Sequence, residues 1–274
     1  MDHQKHVTYI SYLKVDELLQ LQQPLSDGPE HDELLFITIH QVYELWFKQI
    51  LHEAAALQKS LEAGQTHRSM ALLGRIRTIM KTCVAQLDIL ETMTPLQFNS
   101  FRARLSSASG FQSAQFRELE AVLGRRDQAG ADADKTSGMG MAEHLIPGSP
   151  ARKRVEDAML RPSLWDSALQ YFNKKKPIPK DALERDVTKP WQEHEGVQQA
   201  LIELHRSDPE ASMIGEALVD LDEGFQEWRY RHVKMVERTI GKKMGTGGSS
   251  GVGYLASTLF RPVFPDLWAI RSQF

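Results

Sequence analysis

Two histidines and one arginine are the residues best suited to chemistry in a chain otherwise dominated by amphipathic patterning. His232 lies in the run Trp228–His232 (WRYRH), and on a helix Trp228 at i−4, Met235 at i+3 and Val236 at i+4 share its face. That imidazole points into apolar surroundings, where burial disfavours the charged form. A neutral buried imidazole can be the axial ligand of a haem iron; it can equally be a core histidine bonded to a backbone carbonyl. His40 is the second inward-facing imidazole, flanked by Phe36, Tyr43 and Phe47 at i−4, i+3 and i+7. Glu44, four residues after it, suggests a His/Glu metal pair. No third ligand is near in sequence, however, and the repeated Glu-x-x-His pairs of dinuclear carboxylate bundles are not found. Arg102 follows Phe98 and Phe101. Among aromatics a guanidinium can grip a carboxylate with two parallel hydrogen bonds, or form a surface salt bridge with its stem packed down.

A fourth feature is the loop 245–253 (GTGGSSGVG), which holds five of the chain's 18 glycines. Such density serves close backbone approach or positive φ values. Neither nucleotide fingerprint fits, because no Lys-Ser/Thr follows the last glycine and no strand pattern precedes the loop. A flexible linker and a substrate-covering loop with Thr246 and Ser249 as donors are the remaining readings.

These residues need long elements to position them. No proline falls between Pro29 and Pro95 or between Pro209 and Pro262, and proline is what an interior helical turn tolerates least. Apolar residues recur at three- and four-residue steps from His31 to Glu62, with Asp27 or Asp32 as a possible cap. They recur again over about Ser69 to Met93, so two long antiparallel helices joined at 63–67 are expected. Thr94-Pro95 reads as an N-cap followed by proline at the first helical position. Ser109-Gly110 reads as a break, followed by a helix from about Gln112 to Leu123. Shorter helices are expected at 151–160, 162–172 and 191–205, and a long one from Pro209 to Ile240, ended by Gly241. Residues 125–141 have no periodicity and read as a mobile loop. No strand pattern of useful length occurs. The expected fold class is all-α: an extended arm over 1–14, then one large helical domain over 15–274.

Composition narrows the function. With 33 Lys plus Arg against 36 Asp plus Glu, the formal charge is −3, without the basic excess that nucleic-acid binding rests on. Hydrophobic residues at 41% and charged residues at 25% are ordinary globular values. One cysteine, Cys83, can make no internal disulfide and suggests a reducing compartment. The opening residues carry no signal-peptide core, and no apolar run approaches the length of a membrane span. A soluble cytoplasmic protein is expected, with neither nucleic acid nor membrane as partner.

Several segments in the same order carry a resemblance: Tyr9–Leu25 (YISYLKVDELLQLQQPL), His31–Trp46 (HDELLFITIHQVYELW), Phe101–Arg117 (FRARLSSASGFQSAQFR), the Trp228–His232 helix, Gly245–Leu255 (GTGGSSGVGYL) and Phe264–Trp268 (FPDLW). Together they resemble the tryptophan 2,3-dioxygenases, from about Tyr9 to the C-terminus and most weakly across 125–190.

The resemblance implies an all-helical homotetramer, a dimer of dimers, in which each subunit binds one haem b, ferrous when active. The reaction implied is cleavage of the indole C2–C3 bond of L-tryptophan by O2 to N-formylkynurenine, the first step of tryptophan catabolism by the kynurenine route. His232 would be the proximal iron ligand. His40 would accept a hydrogen bond from the indole N–H and orient the substrate. Arg102 would hold the substrate carboxylate, Thr246 would contact its carboxylate and ammonium end, and Phe36, Leu105 and Gly110 would shape the indole pocket. Phe98 stands where some members carry a tyrosine that adds a hydroxyl to the carboxylate site. Tyr9, Tyr12 and Leu13 would enter a neighbouring subunit's pocket, with Ile10 where the family arm usually has glycine. Two other functions stay in view: a relative on the same scaffold acting on a substituted tryptophan or inserting one oxygen, and a non-catalytic haem sensor. A sensor, though, has no need of an amino-acid clamp.

Overall fold

The structure is a computed structural model that describes residues 6–28, 30–126, 142, 145–241, 243–244 and 251–274; no side-chain description extends to Tyr254. The fold is all-α. Among the described residues thirteen α-helices follow in order: α1 Tyr9–Leu13, α2 Val15–Leu18, α3 His31–Glu62, α4 Thr66–Leu90, α5 Pro95–Arg102, α6 Ala114–Leu123, α7 Pro150–Met159, α8 Leu164–Lys175, α9 Lys180–Leu183, α10 Glu195–Ser207, α11 Pro209–Ile240, α12 Val252–Ser257 and α13 Pro265–Ala269. Among the described residues there is no strand, and no helix is long and apolar enough to cross a membrane.

The two proline-free stretches hold the two longest described helices, α3 and α11, of 32 residues each, and the first holds α4 as well. α4 packs along both. Its apolar stripe, with Leu73, Ile76, Met80, Cys83 and Leu87 at 0–2% exposure, is fully buried between them. One hydrophobic core runs through α3, α4, α6, α8, α10 and α11 and is closed by Phe264, Leu267 and Ile270 near the C-terminus. Burying this much aliphatic and aromatic surface is the main term holding the helices together.

Caps set the boundaries. Thr94 accepts from the Gln97 N–H and Gln97 closes the capping box, with Pro95 at the first helical position. Asp208 caps α11 through the Ala211 N–H, and Gly241 ends it with φ +62°. At α3 the cap differs from expectation: neither Asp27 nor Asp32 serves, and Glu30 occupies the N-cap without a side-chain bond. α4 starts three residues earlier than its apolar stripe suggested, because the polar turn Thr66–Arg68 continues the same helix. The described part of the N-terminal arm is also not extended over Tyr9–Leu13. Thr8 and Ser11 form a capping box that starts α1, and Lys14 at φ +54° turns the chain into α2. Being helical, Ile10 needs none of glycine's conformational freedom. The expected loop over 125–141 lies outside the described residues from position 127 onward.

Candidate active site

A cavity of about 270 Å³ opens between α3 and α11, floored by α4 and α6 and flanked by α5 and α12. Its walls follow from helical spacing. On α3, Phe36, His40, Tyr43, Glu44 and Phe47 stand at i, i+4, i+7, i+8 and i+11; on α11, Trp228, His232, Met235, Val236 and Thr239 repeat the same steps. The two stripes meet through the rings. Phe116 lies 4.8 Å from Trp228 and 5.3 Å from Phe47, and Trp228 is edge-on to Tyr43 at 6.3 Å.

His232 is stacked on Trp228, with ring centroids 5.0 Å apart and planes 4° from parallel. Among the described residues, no hydrogen bond reaches either of its ring nitrogens. Burial first, then the nearby His40 and Arg117, lower its pKa to about 4, so the ring is neutral near pH 7. The alternative of a core histidine satisfied by a backbone carbonyl is not what the structure contains.

His40 faces it across the cavity in a different state. Its Nδ1 lies 2.7 Å from the Phe36 carbonyl oxygen. A carbonyl only accepts, so Nδ1 carries the proton and Nε2 keeps a lone pair. Burial holds the pKa of His40 below the ordinary value, outweighing the Phe36 carbonyl and Glu44, which act in the other direction. Its ring lies 4.1 Å from Phe36, which also contacts Phe98 at 5.8 Å and Phe101 at 5.6 Å. These rings form an aromatic wall beside an acceptor nitrogen.

Glu44 does not join His40 as a metal ligand. It accepts hydrogen bonds from Ser113 and, at 2.8 Å, from the Gln115 side chain, which ties the start of α6 to α3. Among the described residues, no cluster of three or more His, Cys, Asp or Glu could hold a bare metal ion.

Arg102 lines the cavity from the end of α5 and donates to the Met244 carbonyl at 2.7 Å. Phe98 and Gly110 also line it, and a Cβ built on Gly110 would meet nothing within 4 Å. Leu105 packs against the hydrophobic core from the 3-10 turn Ala103–Leu105 and is not among the cavity's lining residues. Nor are Tyr9, Tyr12 and Leu13, which in the single chain stand 76%, 76% and 45% exposed on α1. Thr246, with residues 245–250 of the glycine-rich loop, lies outside the described residues.

Sequence reasoning missed a buried ionic cluster at the cavity wall. Glu120, 2% exposed, is paired with Arg117 at 2.7 Å, Arg125 at 2.6 Å and Arg229 at 2.7 Å. Burial raises the Glu120 pKa, but the three guanidiniums together outweigh it and hold the carboxyl below its usual range. The one available signal was the i, i+3 spacing of Arg117 and Glu120 on α6; the partner on α11 is 109 residues away.

The arrangement belongs to a definite class of protein: an all-helical scaffold whose aromatic cavity sets an unliganded neutral imidazole opposite an acceptor imidazole, with a cation at the rim. The family model for tryptophan 2,3-dioxygenase matches residues 2–137 and 194–274. Tryptophan 2,3-dioxygenase from Herpetosiphon aurantiacus is 57% identical over 268 residues, covering 97% of this chain and 98% of that one. The enzyme of the same name from Anaeromyxobacter sp. strain K is 54% identical over 98% of this chain and 97% of its own, and that from Caulobacter vibrioides 42% over 97% and 98%. The chain belongs to the tryptophan 2,3-dioxygenase family. The family model passes over residues 138–193, which carry α7, α8 and α9.

Proposed function

We propose that the chain is a haem-dependent tryptophan dioxygenase, opening the indole C2–C3 bond of L-tryptophan with O2 to give N-formylkynurenine. The observation that carries this reading is the pair of neutral imidazoles on one aromatic cavity, one stacked on Trp228 with no hydrogen-bond partner among the described residues and one whose free nitrogen keeps a lone pair. The donor set fits a porphyrin iron. A single nitrogen on an apolar wall suits a macrocycle that brings its own four equatorial ligands, and it is too few for a bare ion. When bound, haem held by His232 would supply the activation of O2, which is the cofactor's own chemistry.

The rest is work for this chain's residues. His40 Nε2 accepts the indole N–H and so fixes the ring's rotation in the pocket; with Nδ1 committed to the Phe36 carbonyl, it positions the substrate and need not act as a base. Phe36 and Phe98, which line the cavity and are backed by the buried Phe101, give the indole an apolar face, which also excludes water. Arg102 exchanges the Met244 carbonyl for the substrate carboxylate, a charge-assisted contact that is stronger than the one it replaces. Thr246 contributes to the same end of the substrate. Tyr9, Tyr12 and Leu13 on the exposed α1 complete the pocket of a neighbouring subunit in a homotetramer working in the cytoplasm. The decisive test is anaerobic reduction of the haem-loaded protein followed by O2 and L-tryptophan, watching for N-formylkynurenine absorbance. A chain that turns over only methyl-substituted tryptophans, or none, would reject this substrate.

A further inference from the structure

The cavity has two cationic places, and the reading above uses one of them. Arg102 sits at the rim, where its guanidinium bonds a loop carbonyl. Arg117 lies deep, its side chain 11% exposed, with its guanidinium carbon 4.9 Å from the centre of the Phe116 ring. Its one described carboxylate, Glu120, is shared with Arg125 and Arg229. Arg229 is further occupied by the Thr258 carbonyl at 3.0 Å. The Nε–H of Arg117 is buried and has no acceptor among the described residues.

A buried guanidinium with an unmet donor costs free energy that a native structure recovers somewhere, and unsatisfied charged donors at cavity walls are where anions are received. The Glu120 carboxylate keeps the three cations together in the absence of a ligand, yet it cannot satisfy all their donors. Resting on the haem reading, we infer that Arg117 is the binding point for a carboxylate of the porphyrin, distinct from the amino-acid carboxylate held at Arg102.

Location separates the two anions. Arg117 is on α6 next to Phe116, whose ring packs on Trp228, the residue stacked on His232. It therefore belongs to the side of the cavity where the macrocycle would lie. Haem b carries two propionates on an otherwise apolar ring, and a cation fixed by a buried carboxylate supplies the oriented donors such a group needs.

The test compares the full-length protein loaded with haem and with haem dimethyl ester, in which both propionates are masked, by the rate of transfer to apomyoglobin. The wild-type chain is expected to lose haem at least about tenfold more slowly than the ester, the factor one charge-assisted hydrogen bond provides. Arg117→Met, which keeps the stem over Phe116, should bring the two rates within about threefold, and Arg117→Lys should restore part of the difference. Because the ester is a change to the ligand, the comparison holds even if the Met variant folds poorly. Equal rates in the wild-type chain overturn the inference and leave the haem reading standing. An Arg117→Met variant that keeps the full preference but shows a raised tryptophan KM assigns the site to substrate and overturns it too. Failure to take up either porphyrin overturns both.

Discussion

The imidazole of His232 lies over the indole of Trp228, with planes 4° from parallel and 5.0 Å between centroids, and among the described residues it has no hydrogen-bond partner. Histidines that hold metals usually have one ring nitrogen fixed by a carboxylate or carbonyl. Here the flat contact with Trp228, itself wedged against Phe116 and Tyr43, fixes the ring plane instead.

Replacing His232 by alanine should give a soluble, helical chain that no longer holds haem one to one, because the cavity retains its apolar walls but loses its axial nitrogen. The ratio of Soret absorbance to protein reads this directly. A full Soret band with unchanged iron ligation would remove His232 from its role.

His40 contributes one neutral hydrogen bond to substrate, worth about 0.5–1.5 kcal/mol. His40→Ala should therefore lower kcat/KM for L-tryptophan by roughly 2–13-fold with haem content unchanged. 1-Methyltryptophan has no indole N–H to donate, so the two proteins should handle it alike. A larger penalty with that substrate than with tryptophan would contradict an orienting role.

The contact at Arg102 is charged and should matter more, about 1.5–3 kcal/mol. In steady-state kinetics, Arg102→Ala is expected to raise the tryptophan KM by roughly 10–150-fold with normal haem loading. Tryptamine, which lacks the carboxylate, should be nearly indifferent to the substitution, and an unaltered tryptophan KM would sink the assignment.

Acid should weaken the haem-free chain in a defined window. The pKa of His232 falls from the ordinary 6.5 to about 4, because burial first and the neighbouring His40 and Arg117 next disfavour its charged form. Between those values the unfolded chain binds a proton that the native chain refuses, so stability declines as pH drops through that range. The lowered pKa of His40 acts in the same direction. Urea midpoints measured from pH 7 to pH 4 should fall, and His232→Leu should flatten part of that slope; a slope indifferent to the substitution would point to other groups.

Deleting residues 1–14 removes Tyr9, Tyr12 and Leu13, which bury little in the single chain. The core should remain, with thermal unfolding changed little, while turnover drops by more than about tenfold if these side chains close a neighbour's pocket. Adding a His232→Ala chain, whose N-terminal helix is intact but which holds no haem, and allowing subunits to exchange should restore activity, and absence of any recovery would argue against a shared pocket.

Much of the architecture was legible in the sequence for a local reason. Proline spacing and three- and four-residue apolar steps place α3 over His31–Glu62 and α11 over Pro209–Ile240, and the same steps put His40 on the face of Phe36 and Tyr43 and His232 on the face of Trp228 and Val236. Thr94-Pro95 and Gly241 marked ends that cap chemistry then produced. Periodicity reports which face of a helix is apolar, and stops there. That the His40 and His232 faces share one cavity, that Nδ1 of one ring is spent on a carbonyl while the other ring has no hydrogen-bond partner among the described residues, and that Leu105 packs on the core without lining the cavity all depend on how helices far apart in the chain are juxtaposed. The Glu120–Arg229 pair spans 109 residues; no pattern within a helix encodes it, because the burial that gives it meaning exists only once α6 and α11 have packed.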